Sequence, residues 1–257
     1  MTDGILNRKG ATSPKDVPAE VLKLLEEGRI ETVNLGESLA VDNLKLLKNI
    51  VMDSGLTLDV SAVPEGLKLM NCYRAIAALL AVNEDALKIF STHLSDIARC
   101  WACLASGMTE ATIERRLEIL RPFADDPHMG VREMAWMAMR HDIAADVEKS
   151  VALLSGWTLD ESPYIRRCAS EATRPRGVWC AHIAELKEFP GKGLKILDPL
   201  KSDKHKYVQD SVANWLNDAS KSKPEWVIEV TERWLKESPT KETARICKRA
   251  LRTINKQ

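Results

Sequence analysis

Three stretches of the chain share one pattern: Asp126-Pro-His-Met-Gly-Val-Arg-Glu-Met-Ala-Trp136, Asp160-Glu-Ser-Pro-Tyr-Ile-Arg-Arg-Cys-Ala-Ser170 and Asp203-Lys-His-Lys-Tyr-Val-Gln-Asp-Ser-Val-Ala213. Each stretch begins with Asp and a short turn-rich segment, and a β-branched residue follows five places later. The copies are offset by 34 and 43 residues, and an apolar run precedes each copy. Helix pairs that recur at about this period are typical of helical repeat proteins. The pattern therefore predicts an all-α, HEAT-like solenoid, a curved, right-handed superhelix of antiparallel helix pairs.

Helical spacing of apolar residues continues through the rest of the chain. It predicts helices over five further ranges: 17–29, 37–52, 73–90, 93–105 and 110–120. The segment from Gly55 to Gly66 reads as the one longer connection. Residues 1–15 are polar and contain Gly10 and Pro14, so we expect a flexible N-terminal arm. The remainder, 16–257, is predicted to form a single solenoid domain.

Composition excludes several classes of protein. The 257 residues are 45% hydrophobic and 29% charged, which is ordinary for a chain that buries a core and is not disordered. No apolar run approaches the roughly 18 residues that cross a bilayer, and the first 20 residues have no apolar segment typical of a secretory leader. Six cysteines at these spacings are no disulfide framework, so we expect a cytoplasmic protein.

A second cysteine pattern suggests metal or redox chemistry at first sight. Cys100-Trp-Ala-Cys103 has the spacing of a zinc or redox motif, but it lies in an amphipathic run with no second pair of ligands. Core packing is the preferred interpretation, and we expect neither a metal ion nor an organic cofactor.

The neutral formal charge hides an asymmetry along the chain. Residues 1–163 carry 17 Lys and Arg against 25 Asp and Glu, a net charge of −8, and residues 164–257 carry 20 against 12, a net charge of +8. A basic C-terminal third favours contact with nucleic acid, although drift in the charge of solvated helix faces explains it equally well.

Two strings in this basic region carry a family resemblance. Ala169-Ser-Glu-Ala-Thr-Arg-Pro-Arg-Gly-Val-Trp179 and Tyr207-Val-Gln-Asp-Ser-Val-Ala-Asn-Trp-Leu-Asn-Asp218 resemble the AlkC branch of the AlkC/AlkD superfamily of HEAT-like DNA alkylation-repair glycosylases. The match is specific over about 160–257 and weak before it. The resemblance implies a monofunctional glycosylase that acts as a monomer on double-stranded DNA containing alkylated bases. It would hydrolyse the N-glycosidic bond of cationic bases such as 3-methyladenine.

The resemblance also implies roles for individual residues. Asp218 and Glu171 stand where the family places acidic active-site residues, and a carboxylate beside the sugar stabilises a developing oxocarbenium ion or orients the attacking water. Trp179 matches the family's aromatic partner and could contact a cationic base through its ring. Five polar residues are candidates for DNA contact: Arg167, Arg174, Arg176, Asn214 and Lys221.

One family string is not matched. Where relatives carry a further acidic residue in the preceding repeat, this chain has His128, and Glu133 is a candidate substitute with Trp136 beside it. Structural roles also remain open for the matched residues. Glu171 could pair with Arg167 or Arg174, and Asp218 could cap a following helix.

Two other functions therefore stay open beside the glycosylase. The first is a non-catalytic solenoid that binds DNA structure, and the second is a protein-interaction scaffold. The two DNA-directed functions predict salt-dependent DNA binding, whereas only the glycosylase predicts release of a free base.

Overall fold

The computed structural model describes residues 3–177 and 180–256, and throughout these residues the regular structure is helical, with no β-strand. The prediction of an all-α chain is confirmed. The chain divides into two compact units, Met1–Glu110 with His128–Met134, and Ala111–Pro127 with Ala135–Gln257. The prediction of one domain with a flexible arm over 1–15 stays a prediction, although Arg8 in that arm donates to the buried carboxylate of Glu37.

The first unit contains seven helices within its described residues. Their bounds are α1 Asp3–Leu6, α2 Ala19–Glu26, α3 Leu35–Ala40, α4 Asn43–Ser54, α5 Leu69–Ala81, α6 Glu84–Ser91 and α7 Asp96–Met108. Its core is built mainly by α5, α6 and α7, where the buried ring of Trp101 contacts those of Tyr73 and Phe90.

Two predicted helices in this unit are each broken into two. The range 37–52 covers α3 and α4, because Asp42 accepts the backbone N–H groups of Leu44 and Lys45 and so starts a new helix. The range 73–90 covers α5 and α6, because the side chain of Asn83 accepts the N–H of Ala86 in the same way. The predicted connection is confirmed, since α4 ends at Gly55 with a φ of 67° and α5 begins at Leu69.

The second unit holds the second and third copies of the repeat and part of the first. Its helices are α8 Ile113–Ala124, α10 Val147–Ser155, α11 Pro163–Ala172, α12 Ala184–Glu188, α13 Leu194–Leu197, α14 Lys206–Ser220, α15 Pro224–Glu237 and α16 Lys241–Ala250. Helix α9, Met129–Ala145, is divided between the units after Met134. Side by side, α11 packs against α14 and α14 against α16, so the second helices of successive pairs are neighbours.

The quoted repeat has a visible structural basis. Helices α9, α11 and α14 each begin three residues after the repeat's Asp, and the β-branched residues Val131, Ile165 and Val208 are all fully buried. The Asp also joins successive pairs: Asp160 accepts the N–H of Ser162 at 2.9 Å, and Arg121 of α8 pairs with it at 2.5 Å. In the next copy, Arg166 of α11 pairs with Asp203 at 2.6 Å. The helical repeat fold is thereby confirmed.

Candidate active site

The two predicted acidic residues lie on neighbouring helices of the second unit. Glu171 is in the last turn of α11 and Asp218 in the last turn of α14, and each is only 4% exposed. Burying a carboxylate is costly unless hydrogen bonds and opposite charges compensate. Two such groups close together therefore require cations beside them.

Arg174 supplies the main cation and joins the two acids. Helix α11 ends at Ala172, so the chain turns and places the Arg174 side chain between α11 and α14. Its Nη1 donates to Glu171 Oε1 at 2.5 Å, while Nε and Nη2 donate to Asp218 Oδ2 at 2.9 and 2.6 Å. One guanidinium thus binds both carboxylates, although Arg174 and Asp218 are 44 residues apart in sequence.

The second oxygen of Glu171 is also occupied. The hydroxyl of Ser211 donates to Oε2 at 2.6 Å, and Arg167 lies 3.7 Å from the same oxygen. Burial raises the pKa of Glu171, but Arg167, Arg174 and the Ser211 hydroxyl outweigh it and hold the pKa below its ordinary value. Glu171 is therefore ionised at neutral pH, and it pairs with both Arg167 and Arg174, while its role in catalysis stays a prediction.

Asp218 differs at its second oxygen. Lys221 donates to Oδ1 at 3.0 Å, but the Lys221 side chain is 44% exposed, unlike the buried partners of Glu171. A half-exposed lysine holds such a bond weakly, since water competes for its ammonium group. Asp218 lies inside α14, which continues to Ser220, so the alternative that Asp218 caps the next helix is wrong.

The remaining candidates for DNA contact already have partners within the protein. Arg176 donates to the backbone carbonyl of Asp218 at 3.2 Å and to Ser222 Oγ at 2.7 Å. Arg252 donates to the Asn214 side-chain oxygen at 2.9 Å. Arg167 lies 4.1 Å above the ring of Tyr207, a cation–π geometry. Their contact with DNA stays a prediction.

The remaining predicted residues are Trp179, Trp136 and Glu133. Trp179 lies outside the described residues. Trp136 is buried in α9, and Glu133 belongs to the first unit. The His128 ring, which occupies the unmatched family position, contacts the carbonyl of Thr32 at 2.7 Å and the carboxylate of Asp96 at 3.3 Å.

Sequence reasoning missed the small polar residues that complete the site. Ser211 receives a hydrogen bond from Ser170 at 2.7 Å while it donates to Glu171, which makes a buried chain of hydroxyls between α11 and α14. The signal was present, since Ser170 and Ser211 stand within the two quoted strings. Trp215 is fully buried and its Nε1 donates to Thr173 Oγ1 at 3.3 Å, which fixes the turn after α11.

The cysteine motif has a structural role. Cys100 and Cys103 are buried in α7, which confirms the prediction of core packing. Across the described part of the chain, no group of three or more His, Cys, Asp or Glu side chains is arranged to hold a metal ion. Of the helices formed by residues 3–177 and 180–256, none has the length and apolar character needed to cross a membrane.

Comparison with known proteins found a matching family over part of the chain and a similar solved structure. Residues 137–254 match the family described as DNA alkylation repair enzyme. The structure is similar to that of the Pseudomonas fluorescens alkylpurine DNA glycosylase AlkC bound to DNA containing an abasic site analog. The TM-score is 0.69 at 27% identity, over 84% of this chain and 63% of that one. Over residues 137–254 the chain is thus similar to DNA alkylation repair enzymes, and its fold is similar to that of AlkC.

A curated relative shares part of the same region. The uncharacterized protein YhaZ of Bacillus subtilis is 40% identical over 120 residues, which is 47% of this AlkC-like chain and 33% of YhaZ. The chain thus spans about a third of the length of YhaZ and under two thirds of the solved AlkC chain. The paired carboxylates, Glu171 and Asp218, both lie within the range matched by the family.

Proposed function

We propose that this AlkC-like chain is a monofunctional DNA glycosylase that removes cationic alkylated bases such as 3-methyladenine from duplex DNA. The observation that carries the proposal is the pair of buried carboxylates joined by Arg174 on adjacent repeats. The structural likeness to a DNA-bound alkylpurine glycosylase supports it.

The contacts of the two acidic residues suggest a different role for each. Both oxygens of Glu171 are held by buried partners, so Glu171 serves to position Arg174 and α14. Asp218 has one oxygen fixed by Arg174 and one that faces only the half-exposed Lys221. Asp218 Oδ1 is therefore the oxygen that can turn to a reacting sugar once Lys221 leaves it. Phosphates of bound DNA would attract Lys221 away and so uncover this oxygen.

The reaction then follows from charge. The bond between C1′ and the base nitrogen breaks with its electron pair going to the cationic base, which leaves neutral. The sugar becomes an oxocarbenium ion, and Asp218 stabilises that positive charge and orients the attacking water. The water adds to C1′ and gives up a proton to solvent, which leaves an abasic site and a free base. A base that already carries positive charge departs without a strong general acid.

The proposed contacts with DNA are distributed around this centre. Lys221 is the side chain best placed to reach phosphate, since it is half-exposed. Arg167 is a candidate from the family resemblance, although its side chain lies against the ring of Tyr207 and 3.7 Å from Glu171. Arg174 and Arg176 bind Asp218 itself, and Asn214 accepts a hydrogen bond from Arg252, so these three are weaker candidates for phosphate contact. The family resemblance assigns Trp179 to the lesion nucleotide. We further propose that the protein works as a monomer in the reducing cytoplasm, with no cofactor.

Base release from N-methylated duplex DNA, measured by chromatography, tests the proposal. Asp218→Asn should abolish release under single-turnover conditions and leave DNA binding intact. Asp210→Asn is the matched control, because Asp210 lies on the same helix and pairs with surface arginines Arg245 and Arg249. Its release should equal that of the wild type. Full activity in Asp218→Asn would reject the proposed role.

One observation favours a second function, a non-catalytic binder of DNA structure. The position where relatives carry a third acid holds His128, which is engaged with Thr32 and Asp96. The same assay separates the two functions. Salt-dependent duplex binding without release of any base from a panel of methylated purines would replace the glycosylase by the binder.

A further inference from the structure

A second arginine lies beneath the site and binds no carboxylate through the hydrogen bonds that it makes. Arg140 projects from α9 in the second unit and is only 4% exposed. Each of its three guanidinium nitrogens donates to a backbone carbonyl: Nη1 to Ala172 at 3.0 Å, Nη2 to Arg174 at 2.7 Å and Nε to Ala181 at 2.9 Å. One side chain therefore joins three main-chain carbonyls, two next to the end of α11 and one at Ala181.

The position of these carbonyls explains why a cation is needed. Ala172 is the last residue of α11, and the final carbonyls of a helix lack intrahelical partners and carry partial negative charge. Burial lowers the pKa of Arg140, and the neighbouring Cys180, Glu171 and Asp218 offset part of that effect. A buried charge costs free energy unless its hydrogen bonds are satisfied, and here all three nitrogens are satisfied by main chain.

The turn is shaped to fit this guanidinium. A Cβ on Gly177 would lie 3.1 Å from Arg140 Nε and would collide with the sulfur of Cys180, so only glycine fits against the pair. The N–H of Ile183 donates to the carbonyl of Pro175 at 3.1 Å and closes the segment. The described residues of the turn thus surround Arg140 on several sides.

We propose that Arg140 is a positioning residue that fixes the main chain of Arg174 and, through it, the carboxylates of Glu171 and Asp218. The bond to the Arg174 carbonyl sets where that side chain starts, and Arg174 then reaches both acids within 2.9 Å. A displacement of the main chain by 1 Å at this point would break that bridge. The catalytic consequence rests on the proposed glycosylase activity, whereas the positioning itself is measurable without any substrate.

Cys180 provides that independent measurement. It is half-buried beside Arg140, while the five other cysteines are buried. Mass spectrometry after labelling with a thiol reagent therefore follows the turn at one residue. Arg140 also influences the pKa of this thiol, so rates should be compared as thiolate rate constants extracted from a pH series.

The experiment compares Arg140→Met with Arg116→Met, which removes another buried arginine of the same unit, one that pairs with Asp142. Arg140→Met should raise the thiolate labelling rate of Cys180 about tenfold, because the turn opens locally. It should slow single-turnover base release about 100-fold while duplex affinity stays within about threefold, as expected for a misplaced reacting group. Arg140→Lys, which keeps the charge, should give labelling and base-release rates between those of the wild type and Arg140→Met.

The outcomes are distinct. Arg116→Met should lower the melting temperature without changing Cys180 labelling or base release. If folded Arg140→Met labels at the wild-type rate, the positioning role is overturned whatever the activity shows. If the wild type releases no base but Arg140→Met still exposes Cys180, the positioning role stands and only the proposed glycosylase function fails.

Discussion

Two carboxylates, one in each unit, are buried to a similar degree, but different kinds of partner offset the cost of their burial. Asp96 in the first unit is 2% exposed, and it accepts from the N–H and hydroxyl of Thr32 at 2.8 and 2.7 Å with the ring of His128 at 3.3 Å. Glu171 in the second unit is 4% exposed and is held by Arg174, Arg167 and Ser211. The first group relies on neutral donors and one imidazole, whereas the second relies on guanidinium charge.

The difference decides which acid is ionised most readily. Burial raises the pKa of Asp96, and His128 and Thr32 offset only part of the effect. At Glu171 the arginines and Ser211 overcome burial, so the pKa falls below its ordinary value. Depth of burial therefore does not identify a reacting carboxylate. An acid that must face a cationic transition state has to stay ionised in a dry site, and only the arginine-rich cluster provides that.

The largest effect should come from removing the shared cation. Arg174→Gln leaves Glu171 and Asp218 buried beside each other without their main partner, which should cost about 3–5 kcal/mol of unfolding free energy. Equilibrium denaturation in urea measures it. The control is Arg115→Gln, which breaks an exposed pair with Glu118 at the same three-residue spacing and should cost at most about 0.5 kcal/mol. Equal losses in the two variants would show that the bridge contributes nothing special.

A smaller effect, with a defined pH dependence, should follow Glu171→Gln. The folded-state pKa of Glu171 is lowered, so its stabilising contribution is present above the unfolded pKa of about 4.3 and is lost as pH falls through the folded value. The free energy of unfolding of the wild type should thus exceed that of the variant by about 1–3 kcal/mol at pH 7, and this difference should disappear in acid. Urea midpoints between pH 7 and pH 3 measure the gap. A gap that is constant with pH would contradict the lowered pKa.

Asp96→Asn should show the opposite slope. The pKa of Asp96 is raised in the folded state, so the wild type loses stability as pH rises from the unfolded value of about 3.9 through the folded value. The amide can still form a hydrogen bond with Thr32 and does not ionise. The free energy of unfolding of the variant, relative to that of the wild type, should therefore rise by about 1 kcal/mol across that window. The same urea series measures it. If the stability of the variant relative to the wild type instead falls as pH rises, the charged form of Asp96 stabilises the fold.

The sequence predicted the repeats and the two acidic residues better than it predicted the residues that contact them. The turn, Asp and β-branched residue of each copy predicted helices that begin three residues after the Asp. The family strings predicted that Glu171 and Asp218 belong together, and they do share one guanidinium. Periodicity did not predict the breaks at Asp42 and Asn83, because each is a local capping event inside a continuous apolar pattern.

The pairs of Arg174 with Asp218 and of His128 with Thr32 were beyond sequence reasoning for a geometric reason. Arg174 reads as a phosphate contact beside Pro175, and only the turn after α11 aims it at a carboxylate 44 residues away. The ring of His128 reaches the carbonyl of Thr32, which is 96 residues distant. Neither the spacing nor the residue types fix such directions. They depend on how the main chain leaves a helix, and on which side chains the next repeat presents there.

The smallest effect should come from Lys221. This half-exposed residue pairs with Asp218 in the second unit, and the Asp96 cluster of the first unit has no comparable exposed partner among the contacts described above. Lys221→Met removes a half-exposed partner of Asp218, so the unfolding free energy should change by no more than about 0.5 kcal/mol. If Lys221 moves to phosphate when DNA binds, the slope of log affinity against log salt should fall by about 1. Lys149→Met is the control, since Lys149 is half-exposed and pairs with Glu114 on the neighbouring helix α8. An unchanged slope in Lys221→Met would mean that Lys221 stays on Asp218, and that DNA does not uncover this carboxylate.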